Sequence, residues 1–155
     1  PNSGFMLNNF LGEEDINTGG FFNFQENTRM TSMMSPTILE NNSNKIALGT
    51  GGSNRIKTAL FQVIWHLIVA NKTLEQAINQ PRFHYENGRL EVEHGFCEQA
   101  IKQLKTEFGT LNIWQQRSLY FGGVNAVQHG QTNVAIGDSR RMGVGLVRNI
   151  NPHIS

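Results

Sequence analysis

Residues 45–68 read KIALGTGGSNRIKTALFQVIWHLI, and this stretch decides the fold. A short strand-like pattern ends at Gly49, a glycine-rich turn follows, and a helical pattern begins after Asn54. The apolar residues of the helical part recur three and four positions apart: Ile56, Ala59, Leu60, Val63, Ile64, Leu67 and Ile68. Either Ser53 or Asn54 is placed to cap the helix. The stretch therefore predicts a strand, a tight turn and a long amphipathic helix.

The elements on both sides predict the fold class. Upstream, residues 36–40 are expected to pair with 45–49 as a hairpin across the turn at 41–44. Downstream, Thr73 begins a second helix with Gln76 at the capping-box position. The remaining predictions are strands at 82–85 and 89–92 around an Asn-Gly turn, a helix at 97–108, and strands at 111–114, 124–128, 133–136 and 144–147. This order favours a layered α+β fold.

Composition excludes several classes of function. The chain has 155 residues, with 13 basic and 12 acidic side chains and a net charge of +1. Without a basic run there is no electrostatic footprint for nucleic acid or for a membrane surface. Cys97 is the only cysteine, so no internal disulfide forms. The five histidines lack metal-ligand spacing, and neither a metal nor a cofactor is expected.

The turn between the strand and the long helix is the first candidate for chemistry. Backbone N–H groups at a helix N-terminus point outward and carry partial positive charge. Because Gly51 and Gly52 have no side chains, an anion can approach these groups closely. Three interpretations stay open from the local sequence: a plain tight turn, an oxyanion site, or a phosphate site that lacks its usual lysine.

Two polar clusters precede the turn. Thr31 and Ser32 are neighbouring hydroxyls that can donate to a substrate carboxylate, although a turn or capping role is the plainer interpretation. Residues 13–15 read Glu-Glu-Asp, which can hold an ammonium group or form an ordinary solvated loop. Taken with the glycine turn, the clusters describe a receptor for an amino acid that also stabilises an acyl transition state. No GxSxG nucleophile motif is present, so the nucleophile would come from elsewhere.

Six strings along the chain resemble one enzyme family. They are GFMLNN at 4–9, LGEED at 11–15, TSMMSPT at 31–37, GTGGSNRI at 49–56, QPRFH at 80–84 and GDSRRMG at 137–143. In order and approximate spacing these strings are similar to the small subunit of γ-glutamyltranspeptidases. The resemblance implies an N-terminal-nucleophile hydrolase fold, a four-layer αββα sandwich. It also implies a precursor that cleaves itself and an N-terminal threonine that acts as nucleophile and, through its α-amino group, as base.

The resemblance also assigns roles to residues of this sequence. Gly51 and Gly52 would supply the oxyanion-hole N–H groups. Thr31 and Ser32 match a pair, usually Ser-Ser, that binds the substrate α-carboxylate. The acidic segment would hold the α-ammonium, with Asp15 favoured, Glu14 next and Asn9 assisting. Phe10 stands where many members have a Gln or Glu that also contacts the ammonium group.

The resemblance places residues 1–155 in the C-terminal portion of the small subunit. The nucleophile segment and the large subunit would then lie outside this truncated chain, and we expect it to be inactive alone. The implied partners are the large subunit and a γ-glutamyl substrate such as glutathione, with self-association through newly exposed strands left open. The family favours a periplasmic or extracellular location. The alternatives are a related acylase, a poly-γ-glutamate-processing enzyme, a non-catalytic binding module of the same descent, or an anion- or nucleotide-binding domain.

Overall fold

A computed structural model describes residues 4–6, 10–13, 16–17, 19–20, 23, 25–29 and 31–148. The chain divides into two compact units, residues 1–33 and 34–155. Each unit is described by itself.

The first unit is built on turns and side-chain hydrogen bonds. A 3₁₀ turn spans Phe10–Gly12. The buried Asn17 amide donates to the carbonyls of Phe10, at 3.3 Å, and of Glu13, at 2.6 Å. Ile16 is buried beside it. These bonds hold together a segment whose described residues form no α-helix and no strand.

The second unit contains three helices and seven strands within its described residues 34–148. The helices are α1 (Arg55–Ile68), α2 (Leu74–Asn79) and α3 (Glu98–Phe108). The strands are β1 (Thr37–Glu40), β2 (Asn44–Gly49), β3 (Phe83–Glu86), β4 (Arg89–Val92), β5 (Leu111–Ile113), β6 (Asn125–Gly130) and β7 (Val134–Ile136). Further 3₁₀ turns lie at Leu119–Phe121 and Ser139–Arg141. The predicted α+β class is confirmed.

Strands β1, β2, β6 and β7 form an antiparallel sheet in that order. Leu48 and Ala126 are cross-strand partners and both are buried, on the face against which α2 packs. The neighbouring row points to the opposite face and includes Ile38 and Val127, which are largely exposed. One face of the sheet is therefore covered by helix and the other is an uncovered apolar surface.

The second sheet is smaller and mixed. Strands β3 and β4 pair antiparallel around the Asn87-Gly88 turn, where both residues have positive φ. Strand β5 pairs parallel to β4, and α3 is the crossover between them. Leu90 and Val92 of β4 are fully buried, so the central strand of this sheet belongs to the core.

Two local predictions need correction. The segment 144–147 forms no strand, because Gly143 and Gly145 pack backbone against backbone on Gly137 and Ala135, and an added Cβ would clash. Asn54 is the N-cap residue of α1, but its side chain makes no capping hydrogen bond and donates to Glu86 instead. The capping box of α2, between Thr73 and Gln76, is confirmed.

Candidate functional site: the glycine turn before helix α1

The turn from β2 to α1 has a backbone that only glycine adopts readily at one of its positions. Gly52 has φ +138°, and Ser53 follows with φ 53°. The Gly52 carbonyl then accepts from the Arg55 N–H at 3.1 Å, and the Ser53 carbonyl accepts from the Ile56 N–H at 2.9 Å. These bonds begin the helix directly after the turn.

The two glycine N–H groups of the turn are available as donors. Within the described part of the chain, neither the Gly51 nor the Gly52 N–H has a hydrogen-bond acceptor. Gly51 is exposed and Gly52 is partly exposed. Because these N–H groups lie where α1 begins, the helix dipole adds partial positive charge to them. The arrangement suits an anionic oxygen bound by two backbone N–H groups.

Residues 122–123 form the wall behind the turn. Thr50 Oγ1 donates to the Gly51 carbonyl and accepts from the Gly123 N–H, both at 2.9 Å. A Cβ on Gly122 would lie 3.0 Å from Thr50 Oγ1 and 3.2 Å from the Gly51 carbonyl oxygen. A Cβ on Gly52 would lie 3.3 Å from the Gly122 Cα. The close approach therefore depends on glycine on both sides.

The first turn of α1 is tied to strand β3 by a chain of side chains. The Asn54 amide donates to Glu86 Oε1 at 2.8 Å, and Glu86 Oε2 lies 3.4 Å from His84 Nε2. His84 Nδ1 is 2.7 Å from Thr58 Oγ1. The order hydroxyl, imidazole, carboxylate is that of a catalytic triad. Here His84 is buried and Glu86 accepts from Asn54. The Thr58 hydroxyl also donates to the Arg55 carbonyl at 3.2 Å. These side-chain contacts therefore hold the first turn of the helix against β3.

Arg55 adds a second brace to the same turn. Its Nε donates to the Tyr120 carbonyl at 3.2 Å, and its guanidinium lies 4.7 Å from the centroid of the Tyr120 ring. Tyr120 in turn stacks on Trp114 at 5.0 Å between ring centroids. The helix N-terminus is therefore fixed against the segment that leads into Gly122.

A buried ionic network is hydrogen-bonded to the chain directly after the wall. Arg82 Nη2 donates to Asp138 Oδ2 at 2.7 Å, and Arg140 Nη2 donates to Glu93 Oε2 at 2.6 Å. Asp138 also accepts from the Val124 N–H at 2.9 Å, directly after Gly122 and Gly123. All four charged side chains are buried, so each charge depends on its partners.

The charges of this network shift the pKa values of its members. Burial would raise the pKa of Asp138, but the Arg82 guanidinium, the Arg140 N–H and the Arg140 guanidinium outweigh it and hold the pKa below its usual value. Burial would lower the pKa of Arg140, but the hydrogen bonds to Glu93 and the charge of Asp138 raise it. Both side chains are therefore charged over the whole neutral range.

The other predicted site residues belong to the first unit. Thr31 is exposed, and its hydroxyl donates to the Ile16 carbonyl, so its proton is already used within the first unit. Ser32 is exposed. Asn9, Glu14 and Asp15 lie outside the described residues. The convergence of these groups with the glycine turn stays a prediction.

The ionic network was not predicted from the sequence. Its four members are Arg82, Glu93, Asp138 and Arg140. The strings at 80–84 and 137–143 contain three of them, and those strings were selected for their resemblance alone. The sequence does show an arginine in each string, Arg82 and Arg140. Nothing local pairs one string with the other.

Two classes of feature are absent from the described residues. No group of three or more His, Cys, Asp or Glu side chains there is arranged to hold a metal ion. None of the described helices combines the length and the apolar character needed to cross a membrane.

The fold is shared with solved enzymes of the N-terminal-nucleophile hydrolase class. The chain is similar to γ-glutamyltranspeptidase from Pseudomonas nitroreducens in complex with L-DON, with a TM-score of 0.74, 25% identity, and coverage of 96% of this chain and 84% of that one. It is also similar to the Bacillus anthracis transpeptidase CapD, with a TM-score of 0.69, 26% identity, and coverage of 94% and 91%. The predicted hydrolase fold is confirmed.

The chain belongs to the γ-glutamyltranspeptidase family, whose model, described as "Gamma-glutamyltranspeptidase", matches residues 1–147. Similar curated proteins include the capsule biosynthesis protein CapD proenzyme of Bacillus anthracis, 29% identical over 91% of this chain. The glutathione hydrolase proenzyme of Bacillus subtilis is 27% identical over 97% of this chain. The chain spans only about a quarter of these two relatives, 27% and 26% of their lengths.

Proposed function

We propose that the full-length protein transfers or hydrolyses γ-glutamyl groups, with Gly51 and Gly52 as the oxyanion donors. The observation that carries this proposal is the pair of glycine N–H groups that lack an acceptor in the described part of the chain. The family supplies the reaction class. A γ-glutamyl amide and water give glutamate and an amine, and an amino acid or peptide in place of water gives a new γ-glutamyl amide.

The glycine pair serves the acyl-transfer step. A nucleophilic hydroxyl attacks the δ-carbonyl carbon of the donor, and the carbonyl oxygen becomes an oxyanion. Two preorganised N–H groups stabilise this charge more than they stabilise the neutral carbonyl, and such donors are worth about 2.7–4 kcal/mol each. The amine then leaves with a proton, and water or an acceptor amine releases the acyl group. The nucleophile is the family's N-terminal threonine, which residues 1–155 do not include, so we expect these residues alone to show no turnover.

The amino-acid end of the donor is assigned to the first unit. Ser32 and Thr31 donate to the α-carboxylate, and Asp15, with Glu14 and Asn9 beside it, accepts from the α-ammonium. Thr31 takes this role only if its hydroxyl leaves the Ile16 carbonyl, to which it donates in the free chain.

The uncovered face of the four-stranded sheet is assigned to the rest of the precursor. Ile38 is 72% and Val127 is 55% exposed, and they lie in one cross-strand row with Ala47 between them. In a four-layer sandwich each sheet packs on a helix layer with one face and on the second sheet with the other. The relatives' names describe proenzymes, which agrees with a partner from the same precursor. Self-association of residues 1–155 through this face is the alternative.

A related acylase is the second candidate function. The observation that favours it is a similarity to the acylase ACY 1 proenzyme of Pseudomonas sp. strain SE83, 30% identical over 82% of this chain. An acyl group without an α-amino group does not need Asp15 or Glu14. Their presence favours the γ-glutamyl group.

Substitution of Gly52 tests the proposed oxyanion role. The full-length protein should release p-nitroaniline from γ-glutamyl-p-nitroanilide, and Gly52→Ala should lower kcat by about 10²- to 10³-fold because the turn no longer aligns its N–H groups. Gly109→Ala is the matched control, since Gly109 also has a positive φ, of +72°, but lies at the end of α3 with open space around it. Equal losses in both variants, or full activity in Gly52→Ala, would contradict the role.

A further inference from the structure

The Thr58 hydroxyl has one proton and lies within hydrogen-bond distance of two groups. Its Oγ1 is 2.7 Å from His84 Nδ1 and 3.2 Å from the Arg55 carbonyl oxygen. A carbonyl only accepts, so Thr58 must be the donor in that contact. The contact to His84 can run in either direction, depending on whether Nδ1 carries a proton. The protonation state of His84 therefore decides which of the two groups receives the Thr58 proton.

A neutral His84 ring takes the Thr58 proton for itself. Its Nε2 is 3.4 Å from Glu86 Oε2, and an ionised carboxylate only accepts, so the single ring proton belongs on Nε2. Nδ1 is then an acceptor, and the Thr58 hydroxyl donates to it. In this state the Arg55 carbonyl loses its bond from Thr58.

A second proton on the ring reverses the bond to Thr58. It enters from solvent and binds Nδ1, whose N–H then donates to Thr58 Oγ1. The hydroxyl proton turns to the Arg55 carbonyl, and the imidazolium forms an ion pair with Glu86. Only this state makes all three contacts at once. Because His84 is 1% exposed, protein groups rather than solvent must serve the ring nitrogens.

Several charged or titratable side chains surround the imidazole on the elements that pack against it. They are Glu86 on β3, Glu91 and Arg89 on β4, Arg55 on α1, and Tyr120 in the 3₁₀ turn. Glu91 pairs with Arg89 at 3.0 Å. Burial and the charge of Glu91 raise the pKa of Tyr120, so its phenol stays neutral. Imidazole is the side-chain type that changes charge between about pH 5 and 8.

The residue that gains or loses the Thr58 bond is the one that starts α1. The Arg55 N–H donates to the Gly52 carbonyl at 3.1 Å, directly after the two proposed oxyanion donors. The other oxygen of Glu86 accepts from the Asn54 side chain at 2.8 Å. An ion pair between His84 and Glu86 therefore acts on the same first turn from a second direction.

We propose that His84 is a positioning residue for the γ-glutamyl reaction, and that it acts through Thr58 on the first turn of α1. Gain of a proton by His84 sends the Thr58 proton to the Arg55 carbonyl and holds the turn more firmly. The proposal rests on the proposed function, because the turn matters to catalysis through the oxyanion role of Gly51 and Gly52. His84 itself is buried and does not contact the substrate.

The pH dependence of two variants tests the proposal in the full-length protein. Release of p-nitroaniline from γ-glutamyl-p-nitroanilide gives kcat and KM from pH 5 to pH 9. In Thr58→Val a protonated Nδ1 has no acceptor, so the ratio of wild-type to variant kcat should grow about 2- to 10-fold as pH falls, with KM nearly unchanged. Thr58→Ser keeps the hydroxyl and should follow the wild type at every pH. Titrations that the proteins share cancel in these ratios.

Chemical denaturation of the same proteins is a second measurement that does not depend on activity. The loss of stability in Thr58→Val, relative to wild type, should also grow as pH falls, because the variant disfavours the protonated ring. Thr106→Val on α3 is the matched control, since the exposed Thr106 hydroxyl donates to the Lys102 carbonyl at 3.1 Å. Its ratios to wild type should be independent of pH.

Two results would overturn the assignment. Ratios for Thr58→Val that stay constant from pH 5 to pH 9, in kcat and in stability, would leave these contacts a purely structural role. A pH-dependent change confined to KM would show an effect on substrate binding instead. A wild-type protein that releases no p-nitroaniline would refute the proposed function, and the stability profiles would still decide whether His84 acts through Thr58.

Discussion

Arg82 and Asp138 form a buried ion pair with 2.7 Å between Nη2 and Oδ2, although 56 residues separate them in sequence. The Asp138 carboxylate also accepts hydrogen bonds from the Arg140 and Val124 backbone N–H groups. The pair therefore joins the residue directly before strand β3 to the segment behind the glycine turn. Its integrity matters to the site as well as to the fold.

Removal of the Asp138 charge should destabilise the full-length protein. Asp138→Asn leaves two buried guanidinium groups, Arg82 and Arg140, with only the Glu93 carboxylate of the network, and we expect the free energy of unfolding to fall by about 3–5 kcal/mol. Chemical denaturation at neutral pH measures this. Glu40→Gln is the control, because Glu40 and Lys45 form an exposed pair whose loss should cost under about 1 kcal/mol. Similar values for the two variants would contradict a stabilising role for the buried pair.

The same carboxylate should make stability depend on acid. The pKa of Asp138 is lowered in the folded state, so its contribution is complete above the unfolded-state pKa of about 3.9 and is lost as pH falls through the folded-state pKa. Wild-type stability should drop steeply below about pH 4. In Asp138→Asn that drop should be smaller. Parallel pH profiles of the two proteins would refute this assignment.

Glu86 should act on catalysis by positioning α1. Glu86→Ala removes the acceptor for Asn54 and the neighbour of His84, which frees the first turn of the helix that carries the proposed oxyanion donors. We expect kcat for a γ-glutamyl anilide to fall about tenfold with KM nearly unchanged, because small misplacements of catalytic groups are costly. Glu75→Ala on α2 should leave both constants intact. A rise in KM with normal kcat would instead indicate a substrate-binding role.

The uncovered sheet face should be an internal interface in the full-length protein. Val127→Glu would bury an unpaired carboxylate there, and we expect the free energy of unfolding to fall by about 3 kcal/mol or more. Val69→Glu is the control, since Val69 is 58% exposed at the end of α1, away from that face. Identical melting of wild type and Val127→Glu would show that nothing covers the face.

Local patterns predicted the elements well, and the reason is physical. The spacing of apolar residues in 55–68 and the Asn87-Gly88 turn are properties of neighbouring residues, and both are present in the structure. The strand predicted at 144–147 failed because Gly145 within it and Gly143 directly before it pack backbone on backbone. The alternation of apolar residues in a sequence does not reveal such backbone contacts.

The site could be predicted only in part for the same reason. The glycine turn is local, and its position before α1 follows from the sequence. The wall at Gly122 and Gly123 depends on contacts between residues far apart in sequence. Arg140 and Arg141 are adjacent and chemically identical, yet one is buried in an ionic network and the other is exposed. Only the fold separates them.

The central claim is that the full-length protein acts on a γ-glutamyl group. The most direct measurement compares kcat/KM for γ-glutamyl-p-nitroanilide with that for glutaryl-p-nitroanilide, which lacks only the α-amino group. We predict a preference of about 100-fold or more for the γ-glutamyl donor, because an ammonium-binding carboxylate is left unpaired by the other. Equal rates, or faster turnover of the glutaryl donor, would contradict the account and point to an acylase.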